Sequence, residues 1–350
     1  IDSSGITMSS GTVNGVGITS FGTNSMVISS DGSTGTIDAA NFNTGFGHEV
    51  FDDITSGDGN TAMGRLALTT LTTGSNNSAF GNSTLSTNTT GARNTALGDG
   101  ALYANTTAND NTGVGYAALG ANTTGTENVA VGAASLDANT TGDYNTAVGK
   151  GSLSANTTAN NNTALGYQAL LVNTTGASNT GVGANALDEN TTGDNNTALG
   201  LSALNKNTTA DNNTGIGYNA LGANTTGSSL VAVGKGALDA NTTSSNSTAV
   251  GTDALGANTT GSDNTALGYA ALRDNTTASN NTAVGYFALE ANTTGSELVA
   301  VGVNALAANT TATNNVAIGF DALKANTIGN TNVAIGTDAM TTNVAADRNV

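Results

Sequence analysis

Apolar and polar positions in this chain recur with one period: from Gly47 to Gly336 a glycine stands every 17 residues, eighteen times, without an insertion or deletion. Self-similarity of that kind marks a solenoid, in which each repeat buries its apolar side against its neighbours. With the recurring glycine as position zero, position −1 is bulky and apolar throughout (Phe46, Met63, Phe80 to Ile318 and Ile335), and position +4 is Phe51, Leu from Leu68 to Leu323, then Met340. Both are expected to face a core. Position −2 is only Ala or Gly, as at Gly45, Ala96 and Gly113, which suggests the close approach of another backbone. Charged side chains in the array fall only at +1, +2, +5, +6, +11 and +12, so those positions are read as solvated surface.

Thr or Val at −3 beside Ala or Gly at −2 reads as a short strand over −4 to −1. Outward pairs at +1/+2 and +5/+6 enclose inward +3/+4, a spacing near four that predicts one to two turns of helix. Asn122 and its equivalents at +7 would end that turn in a left-handed conformation, before a Thr-Thr-Gly turn. The fold expected is therefore mainly β: a parallel β-solenoid of 17-residue coils, each a short strand plus a short helical turn. Residues 43–350 form the array, and residues 1–42, which lack the pattern, read as an N-terminal capping or junction segment of short strands. Ile1 is not an initiator Met and Asn349-Val350 opens another unit, so the array is expected to continue in a longer protein.

Like residues stack over like in such a coil, so a charge at an inward position would meet its own copy. Asn avoids the problem. It occupies −4 in most units, with Leu230, Ser247 and Leu298 as exceptions, and +7 without a break from Asn88 to Asn343, where its amides can hydrogen-bond along the axis. Coils about 4.8 Å apart would carry the eighteen units over roughly 85 Å.

Composition then removes classes of function. The 350 residues contain no Cys, Pro or Trp and only one His, His48, so thiol chemistry, Cys-bound metal, catalytic triads and two-His metal sites are unavailable to them. A formal charge of −17 repels nucleic acid and anionic lipid, and apolar runs no longer than the four residues from Ala169 to Val172 cannot cross a bilayer. No enzyme activity, cofactor, nucleic-acid partner or membrane insertion is expected.

The text Asn-Thr-Ala-Val-Gly, at Asn145–Gly149, with the Asn-Thr-Thr that follows at Asn156, resembles the repeat shafts of phage and phage-like tail fibre proteins over residues 43–350. Asn332-Val-Ala-Ile-Gly336 more distantly resembles the head repeats of trimeric autotransporter adhesins, whose unit is shorter and lacks the Ala-Leu turn. The resemblance implies an extracellular structural or adhesive fibre, on a virion or as a cell-surface appendage, that supports attachment to a surface receptor or glycan. Two bulky apolar groups per unit make a thin core, and together with the resemblance this points to a homotrimer.

Several local features carry weaker chemistry. Fourteen Asn-Thr-Thr sequons from Asn88 to Asn309 are read as ladder and turn residues rather than glycan acceptors. Asp52, Asp53 and Asp58 could attract Ca²⁺ but lack a calcium-loop spacing. His48 beside Glu49 reads as surface, and the Gly-x-Gly pieces at Gly113/Gly115 and Gly215/Gly217 belong to the repeat. Tyr116, Tyr167, Tyr218, Tyr269 and Tyr286 at +1 form a broken outward row able to meet a carbohydrate or a neighbouring chain. The alternative function is a Thr-rich solenoid, with Thr at +8 and +9, binding an ordered surface such as ice, or a carbohydrate-binding adhesin.

Overall fold

A computed structural model describes residues 10–13, 16–19, 25–29 and 40–350. Strands β1 (Ser10–Val13), β2 (Val16–Thr19) and β3 (Met26–Ser29) pair antiparallel in sequence, and β3 then pairs parallel with β4 (Thr44–Phe46). Short strands thus occur within 1–42, and residues 1–9, 14–15, 20–24 and 30–39 lie outside the described residues. The chain divides into two compact units, one up to Thr175 and one from Gly176. The first carries β4 and its copies every 17 residues to β11 (Thr163–Leu165). The second carries β12 (Thr180–Val182) to β21 (Val333–Ile335).

Within each unit these three-residue strands pair parallel with a constant offset of 17, as in Thr197↔Thr214, Ala198↔Gly215 and Leu199↔Ile216. Each unit is therefore a parallel β-solenoid of 17-residue coils.

Strand phase is the reverse of the sequence expectation. Side chains alternate across a strand, and here the middle residue points inward: Ala147, Ala198 and Ala249 are fully buried, while Leu199 is 47% and Leu165 48% exposed. Position −1 thus faces outward, and −2 faces the interior of its own coil rather than another chain. Space explains the choice. A Cβ on Gly113 would lie 3.3 Å from Leu102 Cγ, and one on Gly45 would lie 3.1 Å from the Phe51 ring, because the +4 side chain already fills the coil. The expected inward pair at +3/+4 is found: Ala118 and Leu119, Ala203 and Leu204, and Ala254 and Leu255 are all fully buried.

No helix forms between +1 and +6. The backbone instead makes successive tight turns, with Ala118 N–H donating to Gly115 O (3.4 Å), Gly120 N–H to Ala117 O (3.1 Å) and Asn122 N–H to Leu119 O (3.2 Å). Ala117 (φ 52°) and Leu119 (φ 53°) lie in the left-handed region, as do +2, +4 and +12 throughout the array, whereas Asn122 does not. Alternating handedness points successive N–H groups up and down the axis. Ala117 N–H reaches back to Asp99 O (2.9 Å), and Leu119 N–H reaches forward to Ser135 O (3.1 Å). A helix would turn these bonds inward along the segment; the turns spend them on neighbouring coils, which offsets about 1 kcal/mol or more of strain at each non-glycine left-handed residue.

Glycine at zero is required by both geometry and crowding. Its φ lies near +140°, as at Gly200, and a Cβ there would stand 2.5 Å from Gly217 O. The next coil passes directly over this point.

Candidate functional surfaces

Three surfaces and two internal ladders are built by the coil. Inside, the −4 amides run as expected: Asn60 donates its backbone N–H and its Nδ2 to Asn43 Oδ1 (2.9 and 3.0 Å), and Nδ2 also reaches Gly74 O at 3.0 Å. At +7, Asn122 Nδ2 donates to Asn105 Oδ1 (3.1 Å) and to Gly125 O (2.9 Å). These Asn are fully buried, so the nitrogen a glycan would need is enclosed and engaged. Where −4 is Leu230 or Leu298, the backbone N–H still donates to the preceding Asn (3.0 Å in both) and the Leu side chain is buried in the amide's place.

The first surface is the strand face. Position −3 supplies Thr, Ser or Val and −1 supplies Phe, Met, Leu, Val or Ile, with no charged residue at −3, −2 or −1 in any coil. Many of the −1 side chains stand well clear of the coil, including Phe46, Met63, Leu97, Leu165, Leu199, Leu267 and Ile335.

The second surface carries +1, +2, +5 and +6. Tyr116, Tyr167, Tyr218, Tyr269, Tyr286 and Phe320 are exposed at +1. The row is broken except where Tyr269 and Tyr286 stack with centroids 5.3 Å apart and Phe287 meets Tyr286 at 4.1 Å. Ion pairs join adjacent coils here, with Lys206 on Glu189 and Arg273 on Glu290. Two carboxyls are pushed above the usual range: Asp239 by burial and then by Asp253, and Asp188 by burial and then by Glu189. Asp321 is held below it by hydrogen bonds from Asn304 and Lys324.

The third surface holds the threonines and +11/+12. Thr at +8 is half-buried and locked, as Thr89 Oγ1 donates to Thr106 O at 3.1 Å, while Thr at +9 is exposed from Thr73 to Thr311. Position +11 does more than meet solvent. Asp143 Oδ1 accepts the Thr126 N–H (2.7 Å) and Asp211 Oδ1 the Asp194 N–H (2.7 Å), so short acceptors at +11 cap a backbone donor of the preceding coil. The recurrence of Asp, Asn, Ser and Thr in that column was the signal for this role. Nearby, Arg93 donates to both carboxylate oxygens of Asp110 (2.6 and 2.7 Å), which holds that carboxyl below its ordinary range.

The remaining sequence candidates do not converge. His48 is exposed with Nδ1 3.5 Å from Glu49. Asp58 Oδ1 caps the Asn41 N–H at 2.7 Å, and among the described residues no three His, Cys, Asp or Glu side chains gather as metal ligands. Gly113 faces Leu102 and Gly115 faces the Gly132 carbonyl, so both belong to the stacking. Among the described residues no helix is long and apolar enough to cross a membrane. No known family model matches this chain, and no curated protein matches it.

Proposed function

We propose that this chain is the shaft of an extracellular fibre, a phage-type tail fibre or a bacterial surface appendage, that holds an attachment tip away from its base and works as a homotrimer without enzymatic activity. The observation that carries the reading is the destination of the hydrogen bonds: backbone, Asn, Thr and +11 groups of one coil are completed by the equivalent coil 17 residues away. Such a coil propagates along one axis and gains nothing from closing into a globule. The resemblance of the Asn-Thr-Ala-Val-Gly text to tail fibre shafts supports the same reading, and the strongly acidic balance suits a surface that must stay soluble.

Electron microscopy of virions or cells labelled against this chain tests the reading. Label along thin projecting fibres supports it, and label confined to the cell interior overturns it. Sedimentation of the purified chain tests the trimer separately, since a single-chain mass at micromolar concentration removes it.

One specific feature favours a second reading, a surface that binds an ordered lattice such as ice: exposed Thr at +9 repeats coil after coil within each unit. Thermal hysteresis by the purified chain would promote this reading over the shaft.

A further inference from the structure

We propose that the outward strand face, made of the −3 and −1 side chains, is a self-association surface on which copies of this chain meet, parallel and in axial register. Four observations lead there. The −1 row is bulky and apolar in every coil and points outward, most of its Val members half-buried and its Leu members exposed, with Leu97 at 49%, Leu199 at 47% and Leu267 at 47% exposure. Contiguous exposed apolar surface of that kind marks an interaction site.

Charge selects the partner. Every charged side chain of the array lies at +1, +2, +5, +6, +11 or +12, and the net charge is −17, so two copies meeting on those columns would bring carboxylates together, while the uncharged +8 to +10 turn exposes threonine hydroxyls that water already satisfies. The strand face is the strip that is both uncharged and apolar in every coil.

Period narrows it further. A partner must offer an apolar group about every 4.8 Å along a line, which is the spacing of parallel strands, and a second copy of this chain does so by construction.

Area agrees as well. A three-residue strand gives roughly 10 Å by 4.8 Å of face per coil. Eight coils in the first unit and ten in the second then offer about 380 and about 480 Å² of strand face, so copies must engage both units to reach the ~800 Å² per partner of a stable complex. The small −2 residue cannot do this work, because it is enclosed within its own coil.

The parallel arrangement rests on the shaft reading, in which every chain must run from the same base to the same tip. The two can fail separately. The absence of cysteine allows single-site cross-linking. Leu267→Cys should form an interchain disulfide under mild oxidation and run at twice the single-chain mass without reductant, whereas Thr260→Cys, on the exposed +9 column, should not. The double variant Leu199→Asp/Leu267→Asp should sediment at single-chain mass with unchanged backbone hydrogen-exchange protection, since both side chains are outside the coil.

A wild-type chain that is itself monomeric overturns the oligomeric shaft and this face together. A wild-type oligomer that survives both Asp substitutions, or that cross-links through Thr260→Cys and not Leu267→Cys, overturns the face alone.

Discussion

Gly200→Ala isolates the feature that sets the coil spacing. Gly200 has a φ of +140°, and a Cβ added there would sit 2.5 Å from Gly217 O and 2.7 Å from Gly217 C. Ordinary contact needs roughly 3.5 Å, so the overlying coil must rise by about 1 Å. The Gly217 N–H to Leu199 O bond, now 2.8 Å, would then stretch beyond hydrogen-bonding range, and the Asn219 N–H to Leu201 O bond at 3.1 Å is strained with it. Two bonds at about 1 kcal/mol each, added to about 1 to 3 kcal/mol for an alanine at this φ, give a local loss of about 3 to 5 kcal/mol. At about 1.4 kcal/mol per factor of ten, amides of the coils holding residues 200 and 217 should exchange at least about a hundredfold faster. Because solenoid stability is a sum of unit and nearest-neighbour terms, coils near residues 302 and 319 should keep their protection. Gly222→Ala is the control: its φ is not positive, and the three atoms nearest the added Cβ all belong to the movable Asn219 side chain. Hydrogen exchange read by mass spectrometry decides the matter. Equal protection in the two variants would refute the spacing role of the zero-position glycine.

Three further outcomes are expected. Leu204→Asp buries a charge in a filled coil and should cost several kcal/mol in thermal or denaturant unfolding, whereas Ser202→Asp should be nearly neutral, because Asp253 and Asp321 already occupy its equivalents. Asn224→Ala removes bonds to Asn207 Oδ1 (3.0 Å), Gly227 O (2.9 Å) and from Asn241 (2.8 Å), and should cost about 2 to 4 kcal/mol, against a smaller loss for Asn196→Leu at the −4 column that tolerates Leu230. Asp239 has a carboxyl raised in the folded chain by burial and by Asp253, so its charged form weakens the fold above the ordinary value of 3.8 and the penalty disappears below it. Asp239→Asn should therefore be more stable than the parent at pH 7, by less than about 1 kcal/mol given its exposure, and equal to it near pH 3; a gain that persists at pH 3 would contradict this.

Period, zero-position glycine, inward +3/+4 and both Asn columns were legible because each is enforced in every coil and a misfit would repeat eighteen times. Phase within the strand was not. In Thr-Ala-Val or Thr-Ala-Leu both flanking residues look like core, and only the volume taken by the +4 Leu decides that the small residue turns inward. The turns were half legible. Gly100, Gly151 and Gly236 at +2 and Gly59 at +12, among Asn, Asp and Ser in the same columns, mark positions that accept a positive φ. Leu at +4 gives no such sign, since leucine has no intrinsic reason to be left-handed and is held so only by its burial and by bonds to the coils on either side.

Stacking like over like also accounts for the composition. An inward column must consist of groups that both donate and accept, or of groups that do neither, because each residue meets its own kind above and below. Asn satisfies the first condition and Leu the second; Asp satisfies neither, since two carboxylates can only repel or share a proton. Asp therefore appears in outward columns, where its partner is a backbone N–H, as when Asp211 caps Asp194 N–H, or a side chain of another kind, as when Arg93 donates to Asp110. The same rule bears on recognition. A side chain that is unremarkable in one coil becomes a continuous strip when its column repeats, so binding by this chain is a matter of columns: apolar at −1, aromatic in part at +1, hydroxyl at +9. The −1 column is the outward column that is apolar and uncharged in every coil, so its removal from contact with water is favourable along its whole length. If copies associate on the strand face as proposed, the tyrosine and threonine columns stay free for contacts with other surfaces.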